Sequence, residues 1–168
     1  MVASLLTLTL AGCATPLPTR LPTQPRGRRY NISIDTLGVE ASIAGPADSV
    51  WSRLPEVYAS LGLQIQERDD RMRRLGVCAM RVRGRLSGTP LSRYLDCGDL
   101  RGVSNADRLE VELVVLTTVK DNPPSGVSVF TFVIGNAAES AGSSNRLWCT
   151  SNGGLEARIR DALTQAGG

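Results

Sequence analysis

The chain contains no histidine among its 168 residues. That removes the commonest general base near neutral pH and the commonest metal ligand. Any serine or cysteine nucleophile would lack its usual activating partner. Neither a nucleophile elbow nor a phosphate-binding glycine loop is present. Asp69 and Asp70 are adjacent, so on a strand they would point to opposite sides and could not pair as acid and base. Aromatic residues make up only 4% of the chain and are scattered (Tyr30, Trp51, Tyr58, Tyr94, Phe130, Phe132, Trp148), too sparse for a base-stacking platform. Lys120 is the single lysine; arginine carries the remaining positive charge. A net charge of +3 gives no strong field for nucleic acid. There are no internal repeats. Together these absences argue against an enzyme, a cofactor, a metal site and a nucleic-acid partner.

What is present begins with residues 2–10, an uncharged run of apolar and hydroxyl-bearing residues. It is shorter than the roughly 20 residues that span a bilayer. A short apolar run closing on small residues reads as the central region of a signal peptide. Such peptides open on positive charge, and none precedes Arg20, so the natural start is expected upstream of Met1. Residues 14–27 then carry Pro16, Pro18, Pro22 and Pro25. This segment favours extended polyproline backbone, at about 3 Å per residue, and reads as a spacer of roughly 40–50 Å. The division expected is a leader at 1–12, a tether at 13–29 and one domain at 30–168, long enough to bury a core.

Leu10-Ala11-Gly12-Cys13, placed between that run and that tether, resembles the lipobox of bacterial lipoproteins. The resemblance implies cleavage before Cys13, acylation of Cys13, and residence on the extracytoplasmic side of a bacterial membrane. More than one acyl chain is needed for stable anchoring, and the family's modification supplies more than one.

Three further cysteines would then sit in an oxidising compartment, an odd number that leaves one pair and one spare thiol. Cys78 falls in phase with Met80 and Val82 in a strand pattern and reads as a buried core residue. Cys97 and Cys149 lie near element ends, where a bridge is easily placed, so Cys97–Cys149 is the expected disulfide. None of the three stands at metal-ligand spacing.

Residues 30–35 alternate as a half-buried strand does, and 37–43 alternate in the opposite phase, which suggests one long strand bulged near Gly38. Pro46 and Asp48 open a helix whose face is Val50, Trp51, Leu54, Val57, Tyr58 and Leu61, with a kink expected at Pro55. A short strand at 63–66 and a charged turn at 67–74 follow. The next strand, 75–86, sets Arg81, Arg83 and Arg85 opposite its apolar side. With Arg68, Arg71, Arg73 and Arg74 nearby this is the most basic surface in the chain, a solvated face or a contact for an acidic partner or lipid head groups. Residues 109–119 and 127–134 read as a hairpin apolar on both faces, one covered by the first helix and the other by the second helix, a ligand or a partner protein, of which the helix is preferred because exposed apolar patches are uncommon in monomers. A loop at 136–145, a short strand near Trp148 and a helix at 155–166 with Leu155, Ile159, Ala162 and Leu163 in one stripe complete the chain.

This order gives an α+β fold in which a curved antiparallel sheet packs on helices behind an extended N-terminal tether. Ala47-x-x-Val50-Trp51-x-x-Leu54, then Leu61-Gly62-Leu63 and Asp69-Asp70, resembles the repeat domains of BamC-type lipoproteins of the outer-membrane β-barrel assembly machine, over residues 49–82. The resemblance implies a helix-grip fold and a non-enzymatic accessory role. The function expected is a lipid-anchored scaffold subunit that stabilises a larger integral-membrane complex, in envelope assembly, transport or photosynthetic energy transduction. The alternative is a helix-grip module that holds an apolar ligand or lipid; a small-molecule ligand is the lesser reading.

Overall fold

The computed structural model describes residues 38–124, 126–139 and 146–165. All belong to one compact unit, assigned to Asn31–Gly168. The leader, Cys13, the Pro-rich tether and residues 30–35 lie outside the described residues. The fold is α+β, built on a mostly antiparallel sheet that does not close into a barrel. Among the described residues no helix is long and apolar enough to cross a membrane.

Elements run in the order β1 (Gly38–Ile43), α1 (Ala47–Ser60), β2 (Glu67–Asp69) and β3 (Arg74–Arg83). Six short pieces follow: β4 (Arg85–Leu86), β5 (Thr89–Pro90), β6 (Leu95–Asp96), β7 (Asp99–Leu100), β8 (Val103–Ser104) and α2 (Asn105–Arg108). The long strands β9 (Glu110–Asp121) and β10 (Val127–Ala138), then β11 (Leu147–Ser151) and α3 (Gly154–Gln165), complete the domain. The main sheet is ordered β2-β3-β9-β10-β11-β6, and β1 also pairs with β10.

The hairpin β9–β10 is the spine, in register from Asp121↔Val127 to Glu110↔Ala138. Period-2 alternation places Val111, Leu113, Val115, Thr117 and Val119 on one face, all nearly or fully buried. Val129 and Val133 join them from β10. Along one side of β10 the first half pairs with β1 and the second with β11. Position for position, β1 begins with Gly38 beside Phe132, and Thr150 near the end of β11 lies beside Ile134.

The expected face of α1 is buried as read: Val50, Leu54 and Tyr58 are fully enclosed, with Trp51, Val57 and Leu61 beside them. The helix runs through Pro55 without a break. Its neighbours differ from expectation. Residues 63–66 form no strand, and β2 lies inside the stretch that reads as a charged turn. In β3 the ladder shifts between Val77 and Met80, so Leu75 and Val77 face the core before the bulge and Met80 and Val82 after it. Gln66 Oε1 accepts the freed Cys78 and Ala79 N–H groups at 2.6 and 3.1 Å. Cys78 thus sits half-buried on the bulge, not in the core, and its sulfur is not a free thiol.

Both helices pack on the same face of the sheet. Leu155, Ile159 and Leu163 of α3 are fully buried in one cluster with the α1 face and the inward side of β9. The expectation that the second helix covers the hairpin's other face is corrected: α3 follows the Cys149 strand back to the side α1 already occupies. Its start is tight, since a Cβ on Gly154 would stand 2.1 Å from the Arg93 carbonyl oxygen. Gly154→Ala should therefore cost about 1–3 kcal/mol in urea unfolding, through forced separation of the two backbones. Unchanged unfolding would contradict that packing.

Candidate interaction surface

The basic strand carries the candidate contact, and its charges are unequal once their neighbours are placed. Arg68 pairs with Asp70 at 2.8 Å and lies over the Trp51 ring, 5.2 Å from its centroid. Arg73 is the most engaged. It holds Asp48 of α1 at 2.8 Å and Asp121 at the end of β9 at 2.9 Å, which ties three elements together and raises its already high pKa. Arg74 pairs with Glu67 across β2–β3. Arg81 lies 3.7 Å from Glu112 and 3.9 Å from Glu110 on the adjoining strand. These are exposed or half-exposed pairs, screened by solvent and worth little to stability. Their chief effect is to cancel positive charge where the sequence suggested a uniform patch.

Arg71, Arg83 and Arg85 have no carboxylate partner among the described residues. Arg81 and Arg83 share one side of β3. Gly84 then turns the chain with φ +68, a left-handed conformation that suits glycine, and Arg85 follows on β4. The three arginines therefore form no single ladder. Arg81 and Arg85 instead line a shallow groove of about 410 Å³ with Gln64, Gln66 and Ser87, while Arg83 stands exposed outside it. The Arg85 guanidinium donates to the Gly88 carbonyl at 2.6 Å, which steadies its turn. The groove is polar and open, suited to a side chain or backbone of another protein more than to an enclosed small molecule.

The expected disulfide is present. Cys97 and Cys149 are bridged, both buried, with Cα atoms 4.2 Å apart. It joins the turn-rich segment after β6 to β11. Among the described residues no group of three or more histidine, cysteine or acidic side chains is placed to hold a metal ion.

One group escaped the sequence reading. Glu156 stands in the first turn of α3, where helix polarity favours an anion, yet its residue is only 3% exposed. Among the described residues neither carboxylate oxygen has a hydrogen-bond partner of good geometry. It faces a cavity of about 100 Å³ lined by Val39, Ala41, Val129 and Thr131. Arg160, which lines the same cavity, pairs with Asp161 at 2.6 Å. Burial raises the Glu156 pKa above the ordinary 4.5, and nearby Ser151 and the residue's own N–H oppose this only in part. The polar residue in the α3 pattern gave no warning, because only the position of β1 encloses it.

A raised folded-state pKa means that the ionised form destabilises the fold. No penalty exists below the unfolded value; it grows as pH rises through the folded one. Glu156→Gln should therefore match the native chain near pH 4 and exceed it in stability by about pH 7. Thermal unfolding across that range checks this; a constant difference at every pH would contradict it.

Compared with protein-family models and with curated proteins, the sequence matches none.

Proposed function

We propose that the chain is a lipid-anchored, extracytoplasmic accessory subunit that binds and stabilises a larger membrane protein complex without catalysing a reaction. The observation that carries the reading is the Leu10-Ala11-Gly12-Cys13 motif, with the apolar run before it and the proline-rich segment after it. The buried Cys97–Cys149 bridge supports it, since stable disulfides belong to oxidising compartments. A sheet with two helices on one face agrees with a helix-grip, BamC-like architecture. Acylated Cys13 would hold the chain at the membrane, the tether would set its distance, and Arg83 and Arg85 beside the polar groove would meet acidic groups on the partner. The ligand-binding alternative draws less support: the cavity between β1 and α3, about 100 Å³, is small against the 300–1,000 Å³ typical of ligand sites.

Intact mass of the membrane-extracted protein tests the anchor. A mature chain starting at an acylated residue 13 is the expected result. A chain that retains Met1, or one whose Cys13 sulfur is engaged in a disulfide, overturns it, because acylation and bridging compete for one sulfur. Detergent pull-down through a C-terminal tag tests the scaffold role. Stoichiometric partners are expected, and Arg83→Glu should reduce their recovery without changing the unfolding midpoint. Recovery of the chain alone contradicts the proposal.

A further inference from the structure

We propose that the second half of β3 is an open sheet edge that takes up an extended acidic segment of a partner protein as an added strand. This names the partner's chemistry for the scaffold role and rests on that role, but it does not depend on the acyl anchor.

Only the first part of β3 has a strand on both sides. β2 pairs with Arg74, Leu75 and Gly76. β9 pairs along the opposite side from Arg74 to Val77 and, past the bulge, from Met80 to Arg83. Among the described residues no strand lies against the other side of residues 80–83, and no backbone hydrogen bond outside the β9 ladder engages them. In an antiparallel strand alternate residues turn their N–H and C=O groups away from a given neighbour. Residues 80–83 therefore present a row of such groups over about 13 Å of edge.

Residues 62–66, which lead into β2, pass this edge without pairing as a strand. Gln66 is the point of contact: its N–H donates to the Gly76 carbonyl at 2.9 Å, and its side-chain oxygen accepts from the Cys78 and Ala79 N–H groups. Beyond it the two segments part, and Gln64 lines the groove of about 410 Å³ together with residues 79–82. They meet again at the other end, where a Cβ on Gly62 would collide with Ser87 Oγ. Contacts at both ends thus hold open a slot beside unpaired backbone.

Charge selects the occupant. Arg81 and Arg85 line the slot, and no carboxylate does. Glu110 and Glu112 approach Arg81 from the β9 side, at 3.9 and 3.7 Å, which leaves exposed Arg83 as the uncompensated charge. Arg81 and Arg83 share one face of the strand, opposite buried Met80 and Val82. A second copy pairing edge to edge would set these arginines against their own counterparts, so like charge opposes it. An added strand with acidic side chains on the arginine face meets opposite charge at cross-strand distance. Its alternate side chains fall on the Met80 and Val82 face, where Leu86 also lines the slot, and small apolar ones suit that side. In this mode of recognition main-chain pairing supplies affinity and the alternating sites supply selectivity.

Fluorescence anisotropy and amide hydrogen exchange of the full chain test this, with a dye-labelled peptide alternating glutamate and valine as the probe. Saturable binding is expected, with exchange at residues 80–83 slowed several-fold and exchange in β2 unchanged. Arg83→Glu should weaken binding several-fold, and a proline at the peptide's centre, which removes a ladder donor, should abolish it. A lysine–valine peptide bound as tightly, binding without slower exchange at 80–83, or no binding overturns the proposal. A dimer of the free chain with those amides protected also overturns it, in favour of a second copy as the occupant. Peptide binding alongside a pull-down that recovers the chain alone would remove the membrane-complex role and keep the edge site. A stoichiometric partner whose recovery is unchanged by excess peptide would do the reverse.

Discussion

Removing the bridge with Cys97→Ala/Cys149→Ala should lower stability by roughly 4 kcal/mol, the loop-entropy value for a closure of this length. The two cysteines are 52 positions apart, and the loop between them contains α2 and the whole β9–β10 spine. The unfolded chain gains the freedom that closure denies it, while the folded chain keeps its core. Against a typical total of about 5–15 kcal/mol, that is a large share. Urea unfolding without reductant measures it: the double variant's midpoint should lie well below that of the native chain. Equal midpoints for the oxidised native chain and the variant would contradict the expected role of the bridge.

Tyr58→Ala should cost about 3–5 kcal/mol, as truncation of a large buried aromatic does. Tyr58 is fully enclosed between α1 and the sheet. Its hydroxyl lies 2.9 Å from Thr117 Oγ1 and 3.3 Å from the Leu75 carbonyl oxygen. Thr117 in turn meets Thr131 Oγ1 at 3.2 Å, so a buried hydroxyl chain links α1, β9 and β10. Tyr58→Phe keeps the ring and removes one link, at about 1 kcal/mol, because Thr117 retains Thr131. Burial holds the phenol well above its ordinary value of 10.0, with the Thr117 hydrogen bond opposing. The folded state therefore resists ionisation, and the native chain should lose stability as pH rises above about 10, a loss the phenylalanine variant lacks. Unfolding midpoints of the three chains across alkaline pH separate ring from hydroxyl; equal losses for alanine and phenylalanine would mean the ring contributes little.

The sequence made legible the elements whose pattern one environment governs. The α1 face repeats every three to four residues because a single sheet lies against it. β9 shows its alternation because one side is sealed by helices. The Cys97–Cys149 pair could be picked out by position at element ends. Elements shaped by distant neighbours were not legible. β2 is three charged or half-buried residues, Glu67–Asp69, held as a strand by backbone pairing with β3 and by the Arg74–Glu67 pair, so no apolar period marks it. The β3 bulge breaks parity, so Cys78 reads as inward when counted from Met80 and outward when counted from Val77. The arginine surface looked uniform because strand neighbours such as Glu110 and Glu112 are remote in sequence. Apolar residues on both sides of the hairpin say that both are covered, not by what; the side α3 takes follows from where β11 returns the chain.

The narrowness of β2 has a bearing on how copies of this chain behave when crowded. A sheet margin with free N–H and C=O groups invites a neighbour to add its own strand. The part of that margin formed by β2 is three residues long, bears Glu67, Arg68 and Asp69, and ends in a turn where Asp69 accepts the Met72 N–H at 2.9 Å. So short and ionic a strand offers few rungs for lateral stacking, and fibril-like growth from β2 should be suppressed without any chaperone.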